Sequence, residues 1–270
     1  MLKDITLGQY FPVDSILHKL DPRFKIIFTM IFIVMLFAGD SMWTLVIGGI
    51  FVLMAQLLSK IPLKMSWKSI KPILPILVFT AVLNLLLIDS GEELWRWKFL
   101  KITEGGITTS IFMIIRIVLL IIGSSLLTYT SSPILLTDAI ESLMSPLKKV
   151  KFPVHEMAMM MSIALRFIPT LLEETDKIMS AQKARGAMID NGKMMDRVKA
   201  LIPILIPLFV SAFRRAEELA TAMECRCYRG GEGRTRLRQL KAENRDYIGL
   251  VICLLFLTAS ITMNVLKSRG

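Results

Sequence analysis

Two arginines carry the most specific pattern in the sequence. Arg185 lies between Ala184 and Gly186, and Arg226 lies between Cys225 and Cys227. Each has small residues on both sides and an alanine four places earlier, Ala181 and Ala222. A guanidinium is a planar fork of donors that keeps its charge and suits carboxylates and carbonyls. Small neighbours let such a fork enter a partner's groove. The competing reading is two ordinary helix ends, where a cation meets unpaired carbonyls and the negative end of the helix dipole. Both readings describe binding, and neither is catalysis.

Other residues with chemical potential do not assemble into a site. The run Gly230-Gly231-Glu232-Gly233-Arg234-Thr235 is glycine-rich. It lacks the Gly-Lys-Ser/Thr ending and the preceding strand of a phosphate-binding loop, so it reads as a turn. Cys225 and Cys227 have no second pair to complete a zinc set. His18 and His155 have no paired ligand at useful spacing. Cys253 falls in an apolar run and reads as packing. The expectation is no catalytic residue, no metal and no cofactor. Arg116 stands inside an apolar run, where a charge is costly. It either meets a carboxylate or helix carbonyls, or snorkels to the interface.

The elements that must position the arginines follow from composition. Of 270 residues 54% are hydrophobic and 20% charged, and the mean hydropathy is +0.58. This points to a membrane protein with a substantial water-facing part. Three cysteines exclude a disulfide-built domain. The net charge of +11 fits cytoplasmic loops rich in Lys and Arg. Nucleic acid is not the expected partner, because no basic patch interleaves with aromatics. The first 23 residues carry several charges and no long apolar core, so no cleavable signal peptide is expected.

Five apolar runs follow: Phe24 to Gly39, Trp43 to Leu58, Pro72 to Ile88, Ile107 to Tyr129 and Tyr247 to Leu266. The last two satisfy the roughly 20 helical residues that a bilayer core requires. The first three are short and need flanking residues or a thin bilayer. Lys60, Lys64, Lys68 and Lys71 occupy the loop after the second run without an acid. That loop, the N-terminus and region 130–245 are expected in the cytoplasm, and residues 89–106 outside.

Region 130–245 holds two long helical patterns. One runs from Val154 to about Arg185, spanning about 48 Å, with Pro169 inside it as an expected kink. The other runs from Met194 to about Tyr228, interrupted by Pro203 and Pro207. Each has a one-sided apolar stripe at helical spacing. Met157, Met159, Met160 and Met161 cluster at the start of the first. Such adaptable side chains suit a surface that repacks against several partners, and they equally suit a membrane-facing core.

At these residues the sequence resembles the T component, or transmembrane coupling subunit, of energy-coupling factor transporters of the shared Gram-positive type. The matching stretches are Arg166 to Glu174 leading to Ala184-Arg185-Gly186, and Ala222 to Tyr228 leading to Gly230 and Thr235. Leu20-Asp21-Pro22-Arg23-Phe24-Lys25 also matches. The resemblance implies an all-α multipass membrane protein: a small transmembrane helical bundle with a cytoplasmic domain of two long coupling helices. The apolar runs and the charge pattern put four spans in 1–129, the coupling domain in 130–245 and the final span in 246–270. The resemblance implies a non-catalytic subunit of an importer in the cell membrane. Ala184, Arg185 and Gly186 would dock one ATP-binding cassette subunit, and Cys225, Arg226 and Cys227 the other. ATP hydrolysis would reside in those partners and drive vitamin or micronutrient uptake. A membrane-embedded substrate-binding S component, or several used interchangeably, would meet an apolar platform of Met157, Met160, Met161, Leu201 and Leu205. In the second motif Cys replaces both Ala and Gly, so the left-handed cap that glycine allows is not expected at Cys227. The alternatives are a dedicated transmembrane subunit of a cobalt or nickel importer, or a multipass membrane enzyme. The enzyme lacks convergent acids or histidines in the sequence.

Overall fold

Asp21 and Pro22 open the first long helix for a local reason. The Asp21 carboxylate accepts the Arg23 N–H at 2.9 Å, and proline at the first helical position has no N–H to leave unpaired. The structure, a computed structural model, describes residues 10–39, 41–88, 93–97, 100–186, 194–230 and 240–269. Its elements are α1 (Ile16–Lys19), α2 (Pro22–Ala38), α3 (Met42–Ser59), α4 (Leu63–Ile70), α5 (Leu74–Leu87), β1 (Glu93–Trp97), β2 (Leu100–Thr103), α6 (Glu104–Thr130), α7 (Pro133–Leu143), α8 (Val154–Ala184), α9 (Met194–Cys225) and α10 (Asn244–Arg269). A 3-10 turn, Ser145–Val150, joins α7 to α8. Among the described residues the fold is all-α apart from the antiparallel hairpin of β1 and β2 between α5 and α6, which the sequence does not lead one to expect.

The chain divides into two units. One comprises Gly8–Leu136 with Leu240–Gly270, and the other Thr137–Gln239. In the first unit all five apolar runs are helical. Met42–Ser59, Glu104–Thr130 and Asn244–Leu266 are each long and apolar enough to cross a membrane, and α4 with α5, bent by 60°, makes a fourth candidate. The segment holding Lys64 and Lys68, read as a loop from the sequence, is the helix α4. Helix α2 has 17 residues, which is about 25 Å against a bilayer core of about 30 Å.

The bundle core joins Phe32, Met35 and Leu36 of α2 to Leu45 and Val52 of α3, with Leu119 and Phe256 packed against them. Phe51 stacks on Phe32 with ring centroids 5.4 Å apart and meets Phe256 edge-on at 5.5 Å. Gly123 permits the approach of α2 to α6: a Cβ there would lie 2.3 Å from the Phe32 ring.

A polar knot ties the helix ends on one face of the bundle. Asp246, buried at the start of α10, accepts the Asp21 N–H at 2.8 Å and the Glu243 N–H at 2.7 Å. Arg23 grips both oxygens of Asp21 and donates to the Leu240 carbonyl. Lys25 donates to the carbonyls of Thr130, at the end of α6, and His18. The Tyr129 hydroxyl reaches Ser69 at 2.6 Å and the Met65 carbonyl at 3.2 Å, which draws α4 to the same face. The start of α2, the end of α6 and the start of α10 thus share one face, as alternating crossings require.

The opposite end of α2 explains Arg116. Its guanidinium donates to the Gly39 carbonyl at 2.7 Å and lies over the Phe112 ring. Asn264 donates to the Ala38 carbonyl at 3.3 Å. The terminal carbonyls that a short α2 would leave unpaired in lipid are bonded by two neighbouring helices. Of the readings open from sequence, contact with helix carbonyls is the one found.

Candidate docking tips of two long helices

In the second unit α8 and α9 run antiparallel across their contact. The Glu174 carboxylate accepts from Arg215 at 3.0 Å, and Gln182 donates to the Pro203 carbonyl at 3.4 Å. Glu174 is held below the usual carboxylate range, first by a hydrogen bond from Ser211 and then by Arg215. Both helices continue through their internal prolines, Pro169 in α8 and Pro203 and Pro207 in α9.

The two arginine motifs occupy equivalent positions. Arg185 is the C-cap of α8, its N–H donating to the carbonyls of Ala181 and Gln182, both at 3.1 Å. Gly186 follows with φ +85° and donates to the Lys183 carbonyl at 3.0 Å. At the end of α9, Arg226 donates to Met223 at 3.1 Å, Cys227 to Glu224 at 2.8 Å and Tyr228 to Met223 at 3.0 Å. This is the paired hydrogen-bond pattern of a Schellman cap. Cys227 has φ +56°. The expectation that cysteine would avoid a left-handed cap is therefore corrected. The two cap hydrogen bonds, from Cys227 and Tyr228, offset the left-handed cost of about 1–2 kcal/mol.

That cost makes a prediction. Cys227→Gly removes the Cβ conflict and should slow amide exchange across 223–228 by about fivefold, corresponding to about 1 kcal/mol. Cys227→Val should speed it. Hydrogen exchange read by mass spectrometry on the tip peptide distinguishes the two.

Ala184, Arg185, Gly186, Cys225, Arg226 and Cys227 are all exposed. Among the described residues neither guanidinium has a side-chain hydrogen bond or a carboxylate partner. The tips stand far apart. Gln182, near the first tip, meets Pro203, and from Pro203 to Arg226 is about 35 Å of helix.

Met157, Met160, Met161, Leu201 and Leu205 are all exposed, between 45% and 58%. The structure does not gather them into one patch. Leu201 and Leu205 flank Pro203, whose carbonyl meets Gln182, and Met160 lies about 33 Å along α8 from Gln182. Helix α9 adds an exposed apolar face that the sequence reading left out of the platform: Ile202, Ile206, Phe209, Val210 and Phe213. Ile202, Phe209 and Phe213 stand in the helical stripe legible from the sequence and Ile206 and Val210 lie outside it; period alone does not say which positions are covered.

The histidines hold structural contacts. His18 Nε2 lies 2.8 Å from the Phe11 carbonyl and Nδ1 lies 2.6 Å from the Ser15 hydroxyl. Burial holds its pKa below the usual value. A neutral ring, donating from Nε2 and accepting at Nδ1, satisfies both contacts. His155 Nδ1 meets Glu141 at 3.0 Å. Cys225 and Cys227 are exposed thiols and Cys253 is buried. The glycine-rich run beyond Gly230 lies outside the described residues.

Comparison with known proteins places this architecture. Residues 14–237 match the family model CbiQ, described as cobalt transport protein. The energy-coupling factor transporter transmembrane protein EcfT of Ruminiclostridium cellulolyticum is 55% identical over 263 residues, 97% of this chain and 98% of the relative. The protein of the same name from Clostridium kluyveri is 51% identical over 266 residues, 98% of each chain. That of Bacillus subtilis is 46% identical over 259 residues, 96% of this chain and 97% of the relative. Matched along nearly its whole length, with membrane-crossing helices and two long amphipathic ones, the chain belongs to the CbiQ family, among the transmembrane components of energy-coupling factor transporters.

Proposed function

We propose that the chain is the non-catalytic coupling subunit of an ATP-driven importer. Arg185 and Arg226 each enter a groove on one of two ATP-binding cassette subunits. Motion imposed at the tips passes along α8 and α9 to a membrane-embedded substrate-binding S component. The observation that carries this reading is the pair of equivalent tips. Each ends a long helix, exposes an arginine between small residues, and lies about 35 Å of helix from the other, a separation suited to two partners rather than one. Helices α8 and α9 lie on the cytoplasmic side, supported by Lys60, Lys64, Lys68 and Lys71 after α3 and by the basic 130–245 region. Met157, Met160, Met161, Leu201 and Leu205, as two separated apolar patches, meet the S component. The substrate belongs to that component's pocket.

A second reading is a dedicated subunit of a cobalt or nickel importer, favoured by the description of the matching family model. Purifying the tagged chain from its host membrane and identifying its partners tests both. The shared-importer reading expects two ATP-binding cassette chains and a mixture of small membrane proteins. A single invariant membrane partner would replace it with the dedicated importer, and absence of any ATPase would overturn both.

A further inference from the structure

The stretch between α7 and α8 combines charge and apolar exposure in a way that the coupling role does not use. Leu147, Val150 and Phe152 are exposed by 42%, 81% and 39%. Lys148, Lys149 and Lys151 are interleaved with them, also exposed, and no acidic residue occurs between Glu141 and Glu156. Among the described residues none of these lysines has a carboxylate partner.

The turn is built rather than slack. Pro146 stands at its start and Pro153 at its end. In a 3-10 helix side chains three apart eclipse one another, so Leu147 and Val150 form one ridge between lysines. Lys151 caps it with φ +59°, donating to the carbonyls of Leu147 and Lys148. The Phe152 N–H closes on the Leu147 carbonyl at 3.4 Å. A left-handed lysine is strained where glycine or asparagine would not be. The chain holds a cation at that place and aims a valine into solvent.

We propose that this turn is a membrane-surface anchor, its three lysines binding anionic phospholipid headgroups while Leu147, Val150 and Phe152 enter the interfacial region. Lysines close to an anionic leaflet gain about fivefold each in surface partitioning, and small apolar ridges insert beside them. A protein groove fits less well, because lysine is depleted at the centre of protein interfaces. Only residues 131–144 separate the turn from the end of α6, which tethers it within reach of the bilayer surface. The anchor would steady the root of α8 against the bilayer. This proposal does not depend on the docking of either arginine.

The test uses the full chain in lipid nanodiscs, with Val150→Cys carrying a bimane fluorophore and the native cysteines replaced. Discs contain phosphatidylcholine with brominated acyl chains, either alone or with one-quarter phosphatidylglycerol. A label at Lys183→Cys serves as the water-exposed control. The anchor predicts quenching at Val150 at least about twofold above the control in phosphatidylglycerol discs. Quenching should fall toward the control in phosphatidylcholine alone and in the triple variant Lys148→Gln, Lys149→Gln, Lys151→Gln. Because all three lysines are exposed, the variant should remain folded, which size-exclusion elution checks. Equal quenching at the two labels overturns the proposal. Quenching indifferent to lipid charge and to the lysines also overturns it, as does protection of the Val150 label only when ATP-binding cassette subunits are bound.

Discussion

The double variant Arg185→Glu, Arg226→Glu should insert normally into membranes and lose its ATP-binding cassette subunits on purification. Each guanidinium is exposed and has no partner among the described residues, so neither change disturbs the interior. Surface substitutions of this kind stay within about 0.5 kcal/mol of neutral for folding. In the complex each arginine would form charge-assisted hydrogen bonds in a partner groove. Removing one partner of such a buried contact costs about 2–5 kcal/mol. Each single variant should therefore weaken co-purification by at least about thirtyfold in affinity. The tips are separated by about 35 Å of helix, too far to share a contact, so the losses should add. If the arginines served only their own helix ends, each reversal would cost about 0.3–1 kcal/mol of local stability and leave ATPase binding intact. Pull-down stoichiometry and substrate uptake in reconstituted vesicles separate the two outcomes.

The second large effect is expected at the methionines. Met160→Glu with Met161→Glu places two charges on a surface exposed by 58% and 52% in the isolated chain. Folding should tolerate this. An S component that buries both side chains would lose about 1.5–3 kcal/mol of apolar burial for each, before any charge penalty. Retention of the S component should fall by more than a hundredfold while the ATPase at the Arg185 tip remains bound. The selectivity of the loss carries the argument. Met160 lies about 33 Å along α8 from Gln182, beside the first tip, so a local change should not reach the ATPase docked at Arg185. Loss of both partners together would mean that the variant has unfolded α8, and retention of both would remove the methionines from the platform. A parallel variant, Leu201→Glu with Leu205→Glu, reports on the other patch.

The legibility of this molecule in its sequence follows the range of the interactions involved. The long helices were read as Val154 to Arg185 and Met194 to Tyr228, and they are Val154–Ala184 and Met194–Cys225. Helical period and terminal small residues are local signals. The apolar runs were legible for the same reason. The break between α4 and α5 was not, because Lys64 and Lys68 among apolar neighbours suggest a loop as readily as an amphipathic turn of helix. The polar knot was also hidden. Asp246 meets Asp21 across 225 residues of sequence, and no local rule pairs them. The run Leu20 to Lys25 was singled out by resemblance, and the structure supplies its physical reason. Cys227 shows the limit of propensity: its identity argued against a left-handed backbone, and two cap hydrogen bonds outweighed it. Met157, Met160 and Met161 on α8 and Leu201 and Leu205 on α9 were legible as members of apolar stripes, but the distance between the two groups was not, since register between helices is a tertiary fact.

The account stands on each tip meeting its own ATPase. A photoreactive amino acid placed at Ala184, and separately at Ala222, tests this in the assembled complex in its native membrane. Both positions are exposed; Ala184 adjoins Arg185 and Ala222 lies about one helical turn before Arg226, so neither arginine is replaced. After irradiation, mass spectrometry of the adducts identifies the captured chain. The account predicts that Ala184 captures one ATP-binding cassette subunit and Ala222 the other copy or the other type, each in the groove facing the membrane. Adducts to lipid or to the chain itself at both positions, with no ATPase captured, would contradict it.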